Sequence, residues 1–241
     1  GLIYLKKIDQ IWYSTVFDDI STIFIGDNTY MKAIHHLDYD LAITEKKKVF
    51  ARRGQIILID SMGPAHPDYE SRLYENVPNF EIWKTEVLNA LDLIEFHTGK
   101  RIEIASHPSS NLDLCKETYG GRTSFLGQTC SLVRNSSLVI ILEGSTAVNF
   151  AVIFRRPVLF IDSPIFDPRL RDLNFKFSSQ LQMPFIRIDN PNLEFSIPVV
   201  KDSIYRKFQE RYIKLPNTPE GYFWDTVASD YLNNLGGVQV N

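Results

Sequence analysis

The chain has 241 residues, of which 44% are hydrophobic, and a formal net charge of −3. These values predict a folded protein with a sizeable core and disfavour nucleic-acid binding through phosphate neutralisation. The two cysteines, Cys115 and Cys130, form no metal-ligand spacing and no disulfide framework, so they fit a reducing compartment. No apolar run reaches the length of a bilayer span and the first residues lack a signal-peptide pattern, so we expect a cytoplasmic location.

Residues 1–45 differ from the rest of the chain in their hydrophobic pattern. Their hydrophobic spacing predicts a helix over Leu5 to Phe17, a strand over Ile23 to Gly26 and a further segment over Tyr30 to Leu37. We interpret residues 1–45 as a lead-in segment or as the remnant of an amino-terminal domain. An edge extension of the main sheet is the alternative.

Residues 46–241 alternate between short apolar runs and helical patterns, with amphipathic helices at the end. The apolar runs are continuous, as is typical of parallel strands that helices cover on both faces. The sequence therefore predicts an α/β domain with a Rossmann-like, doubly wound parallel sheet and helices on both faces. The predicted strands are Ile56 to Asp60, Ile102 to Ala105, Leu138 to Leu142, Val158 to Ile161 and Phe185 to Ile188, and the predicted helices are Phe80 to His97, Gln128 to Asn135, Ser145 to Phe154, Ile204 to Ile213 and Phe223 to Leu232.

Polar residues follow several predicted strands at their carboxyl ends, where open α/β sheets bind ligands. The segment Glu143-Gly144-Ser145-Thr146 joins one such strand to a helix. Unpaired N–H groups and a hydroxyl at a helix amino terminus form a site for an anion. An ordinary serine N-cap in a tight turn is the alternative.

Two histidine-proline pairs lie in loops after predicted strands. His107 can donate a hydrogen bond to a phosphate, and the alternative is a histidine that satisfies loop carbonyls. The loop from Asp60 to Pro78 is long and also contains His66. An ionisable pair on a proline-restrained loop can act on a hydroxyl group of a ligand, so we predict that this loop lines a ligand cleft. The alternative is that Asp60 caps a turn and His66 is solvated.

Several common site types are disfavoured by the sequence. No G-x-G-x-x-G follows a predicted strand and no G-x-x-x-x-G-K occurs, which disfavours a Rossmann dehydrogenase and a P-loop NTPase. His35-His36 with Asp38 and Asp40 matches no metal-ligand spacing, and no acidic cluster of Asp-x-Asp type follows a predicted strand. We therefore expect no bound metal.

The order of these motifs resembles the carboxy-terminal half of GT-B glycosyltransferases. The likeness is greatest to bacterial surface-polysaccharide enzymes that use CMP-activated acidic sugars, namely the Kdo, sialyl- and polysialyltransferases. It covers about Asp38 to Leu232 and rests on "DYDLAI", "IILIDSMGPAHPDY", "IASHPSS", "FLGQTCSLVRNSSLVIILEGSTAVNFAVIFRRPVLFID" and "FWDTVASDYL".

The resemblance implies metal-independent, inverting transfer from a CMP-sugar, with no cofactor. It implies that the His-Pro histidine and the serine of the Ser/Thr motif bind the phosphate and ribose side of the donor, and that the catalytic base comes from an amino-terminal half. The predicted donor-nucleotide site is His107, Pro108, Ser109, Gly127, Thr129, Glu143, Gly144, Ser145 and Thr146. The predicted catalytic residues are Asp60 and His66, and we predict that their loop lines the sugar and acceptor side of the cleft.

The expected partners are the nucleotide-sugar donor, a glycan or glycolipid acceptor, and an amino-terminal GT-B domain or other polysaccharide-synthesis proteins. Peripheral contact with the inner membrane is left open. Three alternatives also stay open: a UDP-sugar transferase, a sugar-nucleotide epimerase, and a non-catalytic module for nucleotide binding or assembly.

Overall fold

The structure is a computed structural model that describes residues 8–14, 25–49, 54–70, 77–188 and 196–235. Its strands are β1 (Ile8–Tyr13), β2 (Ile25–Ala33), β3 (Ile56–Ile59), β4 (Ile102–Ser106), β5 (Ser124–Leu126), β6 (Leu138–Ile141), β7 (Val158–Asp162) and β8 (Phe185–Arg187). Its helices are α1 (Leu37–Lys46), α2 (Pro67–Glu70), α3 (Phe80–Thr98), α4 (Leu112–Thr118), α5 (Thr129–Asn135), α6 (Val148–Ile153), α7 (Pro168–Leu181), α8 (Asp202–Tyr212) and α9 (Phe223–Leu235), and a 3-10 turn spans Gly63–Ala65.

Six strands form a single parallel sheet in the spatial order β5-β4-β3-β6-β7-β8. The chain moves outward from β3 to β5, returns to β6 beside β3, and then moves outward again to β8. The direction of winding therefore reverses between β3 and β6. In open α/β sheets, this reversal opens a crevice at the carboxyl ends of the two central strands, and ligands bind there. The predicted doubly wound parallel sheet is confirmed.

Helices cover both faces of the sheet, which explains the continuous apolar runs. Successive residues of a strand point to opposite faces. Ile57 and Ile59 therefore join one buried cluster, which packs against α5, α6 and α8. Ile56 and Leu58 join a second cluster, in which α3 contributes the fully buried Trp83. A strand buried on both faces has no polar side to show in its sequence.

The predicted strands and helices of residues 46–241 agree with the structure to within a few residues at each end. The largest shifts are three residues: α6 was predicted to begin at Ser145 and begins at Val148, and α9 was predicted to end at Leu232 and ends at Leu235. Sequence reasoning missed α1, α2, α4, β5 and α7. The start of α7 carries a recognisable signal, because Asp167 accepts the Arg169 N–H at 2.9 Å as the N-cap and Pro168 occupies the first helical position.

The predictions for residues 1–45 require correction. The predicted helix over Leu5 to Phe17 is wrong where the structure describes it, because residues 8–13 form β1. Strand β2 begins at Ile25, and the start of the strand predicted over Ile23 to Gly26 lies outside the described residues. The segment predicted over Tyr30 to Leu37 is the end of β2 and the turn into α1. Aromatic residues such as Trp12 and Tyr13 favour strands, and the pairing with β2 stabilises a strand here instead of a helix.

Strands β1 and β2 pair with each other in parallel as a two-stranded sheet, so an edge extension of the main sheet is wrong. Helix α1 packs against α5 and α6 of the main domain. Helix α1 also crosses the predicted boundary between residues 45 and 46. The division of the chain into a lead-in segment and a main domain stays a prediction. None of the helices in the described ranges is long and apolar enough to cross a membrane.

The two-stranded sheet is attached to the last helix by one buried carboxylate. Asp230 of α9 is 6% exposed. It accepts hydrogen bonds from the Trp12 indole N–H at 3.0 Å and the Tyr30 hydroxyl at 3.0 Å, and it pairs with the Lys32 ammonium. Three side chains from two strands therefore converge on a single side chain of α9.

We expect Asp230→Asn to lower the free energy of unfolding by about 1–3 kcal/mol, because the neutral amide weakens the ion pair and places a donor against donors. Urea denaturation measures this change. The control Asp225→Asn, at an exposed position on the same helix, should shift stability by no more than about 0.5 kcal/mol. Equal effects of the two substitutions would contradict the anchoring role.

Candidate functional site

A cavity of about 240 Å³ opens beside the carboxyl ends of β3, β4 and β6, at the reversal point of the sheet. The loops after these strands supply most of its wall. The lining residues are Asp60, Ser61, His66, Tyr69, His107, Glu143, Gly144, Ser145, Thr146 and Leu170. Seven residues of the predicted site, which are distributed over 87 positions of the sequence, are thus brought together.

Four residues of the predicted nucleotide site do not line this cavity. Pro108 and Ser109 are exposed beyond His107. Gly127 and Thr129 follow β5, which lies two strands away from β3. Neighbouring strands are about 4.8 Å apart, so the end of β5, which these two residues follow, lies about 10 Å from the end of β3. The positive φ of Gly127, +68°, is explained by the turn into α5.

The Asp60 carboxylate joins the loop after β3 to the loop after β4. It is 4% exposed. Its Oδ1 accepts hydrogen bonds from the Met62 N–H at 2.7 Å and the Tyr119 hydroxyl at 2.8 Å. Its Oδ2 accepts from the His107 N–H at 3.0 Å and the Ser110 hydroxyl at 2.7 Å. Besides these four N–H and O–H donors, the Cys115 thiol makes a weaker contact with Oδ2 at 3.7 Å. Both oxygens are engaged by protein donors, which favours a structural role over proton abstraction.

The residues around Asp60 are held by these bonds. Burial, followed by the charge of Asp60, raises the pKa of Tyr119 well above its ordinary value, so the Tyr119 hydroxyl remains a donor. Met62 has a φ of +61°, a conformation that a side chain disfavours and that its bond to Asp60 supports. The next residue, Gly63, has no room for a side chain because Trp83 packs against it. The loop after β3 is therefore fixed by packing as well as by hydrogen bonds.

The two histidines of the cavity lie against each other. The rings of His66 and His107 are T-shaped with centroids 5.1 Å apart. His107 Nδ1 accepts the Ser109 N–H at 3.2 Å, so in the neutral ring the proton is on Nε2. Ser109 therefore orients the His107 ring instead of lining the cavity.

The segment from Glu143 to Thr146 differs locally from the predicted helix start. Ser145 Oγ accepts the Ala147 N–H at 3.2 Å, and the N-cap of α6 is Ala147, without a side-chain cap bond. Ser145 therefore closes a turn directly before α6 and is not the N-cap of the helix itself, and the anion site at Ser145 and Thr146 stays a prediction. Gly144 is a glycine because any side chain there would overlap Leu173 of α7.

Glu143 is the buried acid of the cavity. It is 3% exposed, and its Oε1 accepts the Trp83 indole N–H at 3.2 Å. Burial raises the pKa of Glu143 to about 7, and the charges of Asp167 and Asp60 act in the same direction. Sequence reasoning placed Glu143 among nucleotide ligands and missed its acid–base character. The available signal was an acidic residue directly after a fully apolar strand.

No group of three or more His, Cys, Asp and Glu side chains in the described part of the chain is arranged to hold a metal ion. The polar side chains that line the cavity are two imidazoles, four hydroxyl groups and two carboxyl groups, of which Glu143 can be neutral near pH 7 and Asp60 is held by protein donors. Imidazole, hydroxyl and neutral carboxyl groups all donate hydrogen bonds, which suits an anionic ligand.

Comparison with known proteins finds no family model that matches the chain and no match among curated proteins. Among solved structures, the chain is similar to the UDP-GlcNAc 2-epimerase of Methanocaldococcus jannaschii in complex with UDP-GlcNAc and UDP, with a TM-score of 0.41 and 8% sequence identity. The aligned region covers 76% of this chain and 54% of the epimerase, so the chain spans about half the length of that protein. The fold class follows from the strand order of the sheet and not from this similarity.

We expect Asp60→Asn to lower the free energy of unfolding by about 2–4 kcal/mol, because an amide nitrogen would face protein donors. Tyr119→Phe, which removes one of the four bonds, should cost about 1–2 kcal/mol. Urea denaturation provides the comparison, with Asp172→Asn on the exposed side of α7 as control. If Asp60→Asn is as mild as the control, the carboxylate does not hold the two loops together.

A second prediction concerns the pH dependence of stability. The folded protein keeps a proton on Glu143 up to about pH 7, whereas the unfolded chain releases it near the ordinary pKa of 4.5. The stability from this group is thus complete below pH 4.5 and is lost as the pH rises through 7. Glu143→Gln cannot ionise, so we expect it to be more stable than wild type by about 3 kcal/mol at about pH 8.

The difference between Glu143→Gln and wild type should shrink towards zero at about pH 4.5. Urea unfolding across this pH range tests the prediction, and the exposed Glu117→Gln serves as the matched control. A constant difference at all pH values would show that Glu143 ionises normally in the folded protein.

Proposed function

We propose that this chain contains the donor-binding domain of a glycosyltransferase that transfers an acidic sugar from a CMP-activated donor during bacterial surface-polysaccharide synthesis. The observation that carries the proposal is the cavity at the reversal point of a doubly wound sheet, where His107, Glu143 and Ser145 converge. The resemblance of the surrounding motifs to the Kdo, sialyl- and polysialyltransferases supports the choice of CMP and of an acidic sugar.

In this proposal, the donor phosphate lies between the loops after β4 and β6. His107 Nε2 faces it from one side, and the hydroxyl groups of Ser145 and Thr146 face it from the other. All three groups line the same cavity. Hydrogen bonds from uncharged or positively charged donors to a phosphate are strong in a site that excludes water. Pro108 and Ser109 act indirectly, by fixing the backbone and ring of His107.

These donors suit the chemistry of the proposed reaction. When the bond between the anomeric carbon and the phosphate oxygen breaks, the electron pair goes to that oxygen and CMP leaves with additional negative charge. Preorganised donors stabilise this charge as it develops, which lowers the barrier. The acceptor hydroxyl forms the new bond and loses its proton to a base, which the resemblance places in another half of the enzyme.

The two predicted catalytic residues receive different roles in the proposal. Asp60 is a positioning residue, because its oxygens are occupied by four donors and one of these is the His107 N–H. His66 faces the cavity from the loop after β3 and lies against His107. We assign His66 to the sugar and acceptor side, where it orients the acceptor hydroxyl or the carboxylate of the donor sugar.

Isothermal titration with CMP and with UDP tests this proposal. We expect CMP to bind, UDP to bind more weakly, and His107→Ala to weaken CMP binding by about 1–3 kcal/mol, the scale of a hydrogen bond to a charged group. His97→Gln is the control, because His97 is exposed at the end of α3. Tighter binding of UDP favours a UDP-sugar transferase or epimerase, and a lack of binding to either nucleotide contradicts the donor-binding role.

A further inference from the structure

Glu143 occupies an unusual position for a carboxylate in a cavity that presents donors to an anion. Glu143 lines the cavity together with His107, Ser145 and Thr146, and it is 3% exposed. An ionised carboxylate there would oppose the charge of a phosphate at close range in a poorly solvated site. The neutral acid would instead have a hydrogen to donate. The protonation state of Glu143 therefore decides whether this wall repels or binds an anion.

The surroundings of Glu143 favour the neutral form before any ligand arrives. From α3, Trp83 donates a single hydrogen bond to Oε1. From the loop after β3 and the segment before α7, the charges of Asp60 and Asp167 act against ionisation. Burial is the largest effect and raises the pKa of Glu143, whereas the hydrogen bonds of Trp83 and Ser61 act in the opposite direction, and the resulting pKa is about 7. The other titratable groups that line the cavity or act on Glu143 are His66, Tyr69, His107 and Tyr119.

We propose that the cavity takes up one proton on Glu143 when it binds the phosphate of its ligand, and that the neutral carboxyl group then donates a hydrogen bond to a phosphate oxygen. This inference rests on the proposed function, because it assumes a nucleotide phosphate in the cavity. The proton comes from solvent, and no bond of the ligand changes. The ligand thus recruits the proton that makes the site complementary to it.

The direction of the pH dependence follows from linkage. A bound phosphate opposes ionisation of the neighbouring carboxyl group, so the pKa of Glu143 is higher in the complex than in the free protein. Above about pH 7 the free protein carries an ionised Glu143 that must regain its proton. The affinity for CMP should therefore fall as pH rises, by up to about tenfold per pH unit, until the pKa of the complex is reached.

The experiment is isothermal titration of CMP into the protein between about pH 6 and about pH 8.5, in two buffers of different ionisation enthalpy at each pH. The difference between the buffers gives the number of protons taken up with CMP. We expect uptake of about one proton per CMP near pH 8 and a loss of affinity of about tenfold between pH 7.5 and 8.5.

Three variants assign the proton. Glu143→Gln retains an oxygen for the Trp83 N–H and cannot ionise, so we expect its proton uptake near pH 8 to fall close to zero and its affinity to change less than about twofold over the same range. The exposed Glu117→Gln on α4 should behave as wild type. His107→Gln should weaken binding at every pH and leave the uptake near pH 8 in place.

The outcomes separate this inference from the proposed function. CMP binding with uptake that Glu143→Gln abolishes supports both. CMP binding without proton uptake in the wild type, or with uptake that persists in Glu143→Gln, overturns the role of Glu143 and leaves the donor site intact. Absence of CMP binding even at about pH 6, where Glu143 is mostly neutral, overturns the proposed function and this inference together.

Discussion

The Asp60 carboxylate holds together the two loops that carry the histidines of the cavity. A buried carboxylate is costly unless its oxygens are satisfied, and here four donors from two loops and from the end of α4 supply the bonds. The His107 N–H is one of those donors, so the position of the His107 ring depends on Asp60. The geometry of the candidate site therefore follows from the solvation of a single charge by the protein itself.

A second carboxylate, Glu143, is buried in the same crevice with fewer compensating contacts. Trp83 supplies one hydrogen bond to it, while Asp60 and Asp167 add negative charge nearby. The two buried carboxyl groups therefore have different roles. Asp60 is satisfied and holds structure, whereas Glu143 can gain or lose a proton near pH 7. Both residues lie just after a central strand, so this difference comes from the surroundings of each carboxyl group and not from its position in the sheet.

The sequence was sufficient to predict the sheet and the edge at which the candidate site lies, because continuous apolar runs such as Leu138 to Leu142 are typical of strands buried on both faces. It was insufficient for contacts between distant residues. The bond from Tyr119 to Asp60 joins positions 59 residues apart, and Leu173 of α7 explains Gly144. The helix predicted over Leu5 to Phe17 is wrong at residues 8–13, because a short apolar pattern fits both the helical and the strand periodicity and pairing with β2 selects the strand.

The central claim is that the crevice between the loops after β3, β4 and β6 binds a nucleotide phosphate. A crystal structure of the protein with CMP tests it most directly. We expect the CMP phosphate within hydrogen-bond distance of His107 and of Ser145 or Thr146, with Glu143 beside it and the four N–H and O–H bonds of Asp60 unchanged. CMP bound away from the carboxyl ends of β3 and β6 would show that this crevice is not the phosphate site.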